Sequence, residues 1–111
     1  MPALPTIRRR ADFEAIGRRG SRRSTSLLVL RSLRTDRAET RIGLSTPRTL
    51  GGAVHRNRVR RRLRELLRRR LAGIGPGWDL LLIARPPAAV ASFAELGAAI
   101  DALLRRPLDG K

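Results

Sequence analysis

The stretch Arg56–Arg70, RNRVRRRLRELLRRR, sets the terms for any fold this chain adopts. Nine of its fifteen residues are arginine and Glu65 is its one acid. It contains no Pro or Gly, and Arg, Leu and Glu favour helix. Val59, Leu63, Leu66, Leu67 and Leu71 recur at steps of three and four, which makes one apolar stripe on a helix. Asn57, Arg60, Arg61, Arg64 and Arg68 then fall on one flank, and Arg58, Arg62, Glu65 and Arg69 on the other. Arginines four apart, such as 58 and 62 or 60 and 64, repel each other. The helix therefore forms only if its leucine stripe is buried, and burial leaves both basic flanks turned outward. A merely solvated face normally mixes the two signs, so these flanks point to an anionic partner.

Composition narrows that partner. The chain has 111 residues, 41% of them hydrophobic, and a formal net charge of +16. That is enough for a single domain with one core. So large a positive charge implies a polyanion, with nucleic acid ahead of an anionic membrane. Lys111 is the only lysine, and arginine binds phosphate through a planar two-pronged fork. No apolar run approaches the ~20 residues of a membrane span. The absence of cysteine removes disulfides, zinc knuckles and thiol nucleophiles. Asp12 and Glu14 argue against reading the Arg-rich start as a transit peptide, so a cytoplasmic location is expected.

Taken in order, residues 1–10 read as a flexible basic arm and 11–19 as a short helix stopped by Gly20. Residues 21–26 suggest a short edge strand, and 27–33 (LLVLRSL) a strand. Residues 34–40 read as a polar turn leading into a second strand, 41–46 (RIGLST), antiparallel to the first. A Gly-containing loop, 47–52, precedes the arginine helix, and AGIGPG (72–77) stops it. DLLLIA (79–84) reads as a strand buried on both faces. After a loop with Pro86 and Pro87, Ser92 and Glu95 form a capping box. The final helix has Phe93, Leu96, Ile100, Leu103 and Leu104 as its apolar face and ends before Pro107. The result is a single α+β domain, order α-β-β-β-α-β-α, with helices packed on a small sheet.

Protein-side catalytic chemistry is missing from this pattern. The nine carboxylates are scattered, no metal-ligand spacing appears, and the serines lack an identifiable base. His55 is the only histidine, so a two-histidine ribonuclease mechanism is excluded. Its position suits a helix-start residue near RNA. No catalytic and no metal-binding residue is assigned, and the reacting groups are expected on a partner.

Leu50–Glu65, LGGAVHRNRVRRRLRE, resembles the signature of the bacterial ribonuclease P protein subunit. The matching positions are Gly51, Gly52, Ala53, Val54, Arg56, Asn57, Arg60, Arg61, Arg64 and Glu65. RRADFEAIGRRG, RIGLST and DLLLIARPPA agree in order, so the resemblance covers nearly the whole chain. It implies a two-layer α/β sandwich, ribosomal-protein-like, with three helices on a mixed sheet of about four strands. It also implies a left-handed parallel crossover around the arginine helix, against the usual rule. In such a protein the partner is a catalytic RNA, and the assembly removes the 5′ leader from precursor tRNA. Mg²⁺ is held by the RNA, which performs the hydrolysis; neither membrane nor DNA is a partner.

Carried over by position, the RNA-subunit-facing residues are Arg56, Asn57, Arg60, Arg61 and Arg64; Arg58 and Arg68 of the same helix are counted with them as RNA-subunit-binding. Phe13, Arg48 and Arg85 match leader-binding positions in a cleft between the first helix and the sheet. The chain departs from the family at Gly17, where a second aromatic is common. Leu28 and Arg31 stand where strand aromatics often face the cleft, and Thr49 replaces a second basic residue. The competing readings are a ribosomal protein or general RNA chaperone, a DNA-binding helix, and a membrane-surface helix. None of them accounts for the ordered match around Arg56–Glu65.

Overall fold

A computed structural model describes residues 4–105 and 108 of the chain. Three helices, α1 (Arg10–Arg19), α2 (Ala53–Arg70) and α3 (Phe93–Leu103), accompany four strands. The strands are β1 (Ser21–Ser24), β2 (Leu28–Arg34), β3 (Arg41–Ser45) and β4 (Trp78–Ala84). They form one mixed sheet in the order β1-β2-β4-β3.

The sheet order corrects the expected hairpin. β2 and β3 run in opposite directions, but β4 lies between them, antiparallel to β2 and parallel to β3. The apolar run of β4 is the reason, because a strand buried on both faces belongs at the centre. α2 is consequently the crossover between two adjacent parallel strands. It starts at Ala53, three residues before the arginine run, and Gly52 caps it without a side-chain bond. Gly51 makes the entry turn at φ 119°, a conformation that side chains beyond glycine rarely adopt.

Strand alternation sorts the sheet into two faces. One face carries Leu28, Leu30, Ile42, Leu80, Leu82 and Ala84, and these join the main core with Leu63, Leu66 and Leu67 of α2 and Leu96 and Ile100 of α3. Leu28 thus lies in the core, fully buried, and is not available to the α1 cleft. Its even-numbered register on β2 puts it on the face opposite Arg31. Burial of each such leucine contributes about 1.5–3 kcal/mol, which holds α2 against its own charge. Ser92 and Glu95 complete the expected capping box of α3.

α1 packs on the other face, with Ile16 completely buried. The neighbouring Phe13 explains Gly43: a Cβ there would come within 2.7 Å of the Phe13 ring. Residues 5–7 do not stand apart as an arm. Ile42 N–H donates to the Pro5 carbonyl at 2.8 Å and Ile7 N–H to the Ile42 carbonyl at 3.0 Å, which pairs this segment with the outer edge of β3. Residues 1–3 and Pro107 lie outside the described residues.

Candidate nucleic-acid interface

The arginines of α2 fall into three groups once the stripe is buried. The first group is engaged with the body of the protein. Arg56 donates to the Thr46 carbonyl at 3.3 Å, and Arg60 to the Thr46 hydroxyl at 2.5 Å and to Asn57 at 3.3 Å. Arg62 reaches the Ala91 carbonyl at 3.1 Å. Arg70 makes a two-bond contact with Asp101 at 2.6 and 3.2 Å. Its pKa is raised, chiefly by that hydrogen bond, and the Asp101 carboxyl is lowered for the same reason.

The second group gathers on Glu65, which pairs with both Arg68 and Arg69. Arg69 also stacks over Phe93, 5.5 Å from the ring centre. The third group is Arg58, Arg61 and Arg64. They are exposed, and no hydrogen bond or ion pair engages their side chains among the described residues. The two flanks read from the helical wheel are therefore not the division the fold makes. Arg60 and Arg68 on one flank, and Arg62 and Arg69 on the other, are held internally. The uncommitted guanidinium groups run Arg58–Arg61–Arg64 along the outward face. His55 is exposed in the first turn, its ring beside Gly51.

A cavity of about 210 Å³ opens beside β3, lined by Leu4, Ile7, Phe13, Ile42 and Leu44 with Arg60 and Arg64 of α2. Phe13 is half-buried rather than core, so one edge of its ring is accessible from this cavity. The fold thereby joins Phe13 to the arginine helix, which the sequence kept forty-odd residues apart. Arg48 and Arg85 follow the parallel strands β3 and β4 and lie at one end of the sheet. Arg48 is exposed; Arg85 donates to the Thr25 carbonyl at 3.1 Å. Between that end and Phe13 lies the cross-strand row Ser24, Val29, Ile83 and Ser45.

One constellation escaped sequence reasoning. Arg41 grips Asp79 through Nε at 2.9 Å and Nη2 at 2.6 Å, and meets Asp12 of α1 at 3.3 Å. The Asp79 hydrogen bond leads the causes that raise the Arg41 pKa. An acid opening an otherwise apolar strand was the available signal, since a buried carboxylate needs a cation. No group of three or more His, Cys, Asp or Glu among the described residues is placed to hold a metal ion. None of the described helices is long and apolar enough to cross a membrane.

These features define a class: a small α+β protein that presents an arginine-rich helix on one side and a half-open cleft with one aromatic ring nearby, a surface for an anionic partner. Comparison with known proteins makes the class specific. The sequence model of the family Ribonuclease P matches residues 1–108. The ribonuclease P protein component of Acidothermus cellulolyticus is 44% identical over 108 residues, covering 96% of this chain and 90% of that one. The Streptomyces avermitilis counterpart is 42% identical over 119 residues, covering 99% and 97%. Among solved structures, the RNase P protein from Thermotoga maritima superimposes with a TM-score of 0.82 at 27% identity, over 91% of this chain and 96% of that one. The Staphylococcus aureus RNase P protein has the same fold, with a TM-score of 0.84 at 24% identity over 96% and 97%. The chain belongs to the ribonuclease P protein family, as a protein subunit of that ribonucleoprotein endoribonuclease.

Proposed function

We propose that this subunit binds the catalytic RNA of ribonuclease P through α2 and the 5′ leader of precursor tRNA through the α1 cleft, and so assists removal of the leader. The observation that carries the first half is the row Arg58, Arg61 and Arg64, uncommitted on a helix whose Val59, Leu63, Leu66 and Leu67 are all buried. A rigid helix with unengaged guanidinium groups is a phosphate-binding surface that needs no rearrangement. Arg56, Asn57, Arg60 and Arg68 complete the RNA-facing set. Arg56 and Arg60, steadied by Thr46, present a preset angle rather than a mobile charge. Phe13, Arg48 and Arg85 are the leader-binding set. Phe13 offers a stacking edge beside the cavity, and the two arginines stand at the sheet end toward which a strand would run.

In this reading the protein supplies binding and orientation. The Mg²⁺ ions that activate water for phosphodiester hydrolysis belong to the RNA, and the chain's contribution is to neutralise phosphates and hold the leader. The site of action is the cytoplasm, where tRNA precursors are made. The test is reconstitution with a bacterial ribonuclease P RNA at low Mg²⁺. Cleavage of precursor tRNA is expected to rise when the protein is added, while the protein alone cleaves nothing. Stimulation that does not depend on a leader, or cleavage by RNA-free protein, overturns the reading.

A further inference from the structure

We propose that Arg22 and Arg31 form a second leader contact, a phosphodiester site on the α1 side of the sheet; this rests on the leader-binding reading above. The register places Arg22, Arg31, Leu81 and Gly43 in one row across all four strands. Residues opposite each other in such a row emerge on the same face. The Phe13 ring covers the Gly43 and Leu81 end of this row. The other end carries two guanidinium groups.

Like charges directly opposite on adjacent strands destabilise a sheet, and no carboxylate among the described residues pairs with either of them. Arg22 is exposed, with no hydrogen bond or ion pair among the described residues. Arg31 donates from Nη2 to the Gly17 carbonyl at 2.7 Å, and its Nε is buried with no hydrogen-bond partner. A Cβ on Gly17 would meet nothing within 4 Å and would point into solvent. α1 thus carries no side chain at this exposed position, next to the carbonyl that Arg31 holds. A surface with two cations and no aromatic side chain accepts a phosphate in preference to a stacked base.

The row also gives the order of contacts. Gly43 and Arg22 are three strand spacings apart, about 14 Å. A single strand that stacks on Phe13 and continues across the sheet reaches the arginine pair some nucleotides later. The pair therefore reads leader length and charge, whereas Phe13 reads an unstacked base.

Arg31 also steadies the last turn of α1, so Arg22 is the cleaner probe. The reconstituted holoenzyme is tested with precursor tRNAs of increasing leader length and with mature tRNA, across a salt series. Arg22→Ala is expected to weaken long-leader substrate about 3- to 10-fold and to lower its salt slope by about 0.7. The shortest leader and mature tRNA should be unaffected, and Arg22→Lys should restore the slope. Arg31→Gln should act in the same direction. Equal losses on mature tRNA, or an unchanged slope for long leaders, overturn the proposal. If Phe13→Ala is leader-selective while Arg22→Ala is not, the cleft stands and the arginine pair is not part of it. If neither variant distinguishes leader from mature tRNA, the leader-binding reading fails, and the proposal with it.

Discussion

Asp79 and Arg41 are neighbours on adjacent strands, and they lock together through two hydrogen bonds of 2.6 and 2.9 Å with Asp79 only 3% exposed. The fork, joined by Asp12, docks α1 on the sheet one residue from Phe13. Asp79→Ala leaves the largely buried Arg41 guanidinium with Asp12 as its one remaining carboxylate, which costs up to about 3–5 kcal/mol. Asp79→Leu combined with Arg41→Met should recover most of that loss. Urea unfolding of the single and double variants checks it.

The leucine stripe is predicted to be the main support of α2. Leu63 is fully buried, so Leu63→Ala should cost about 2–5 kcal/mol. Val54, on the same helix but 73% exposed, should lose less than about 0.5 kcal/mol on replacement by Ala. Thermal or urea unfolding of both variants decides whether burial or helix propensity sustains the helix.

The three groups of arginines should separate in binding experiments. Arg61→Ala and Arg64→Ala should each weaken the RNA subunit and lower its salt slope by about 1. Arg62→Ala and Arg69→Ala should act mainly on stability, since their side chains are spent on Ala91, Glu65 and Phe93. Arg58 discriminates between two accounts: a docked flank leaves it minor, whereas the uncommitted row makes it equal to Arg61. Losses that follow charge count alone would show a non-specific polycation.

Phe13→Ala should weaken leader-bearing substrate by about 1–3 kcal/mol, the usual value of one stacked base. Mature tRNA should be bound as before. Parallel binding assays of the two substrates, with circular dichroism to confirm folding, make the comparison.

Acid should loosen the α2–α3 contact slightly. The Asp101 carboxyl is lowered by its hydrogen bond to Arg70. A carboxyl with a depressed folded-state pKa stabilises above its unfolded value and loses that contribution as pH falls through the folded one. Asp101 is 61% exposed, so the contribution is about 0.5 kcal/mol. Asp101→Asn should remove it at pH 7 and flatten the stability curve below about pH 4.

Much of this architecture is legible in the sequence because it follows from local periodicity. The stripe of α2, the capping box at Ser92 and the apolar run of β4 each specify their element within a short window. The sheet order is not local. RIGLST and LLVLRSL flank a polar turn and look like a hairpin, and only the burial demand of β4, forty residues on, places it between them. The arginine groups were hidden for a related reason. A wheel shows which way a side chain leaves the helix, but Thr46, Ala91 and Phe93 decide which guanidinium groups are already occupied. The face of Leu28 was a matter of register, since a shift of one residue along a strand changes sides.

The pairing of residues 5–7 with β3 bears on solubility. A sheet edge is a template on which another chain can add a strand. Here the N–H and carbonyl of Ile42 are already satisfied by Pro5 and Ile7, and the opposite edge, β1, is four residues long and carries Arg22 and Arg23. One border of the sheet is closed by the chain's own backbone and the other is guarded by like charge. Two copies of so basic a chain thus have little means of extending one sheet into the next, and strand exchange is blocked while the arginine helix remains open to RNA.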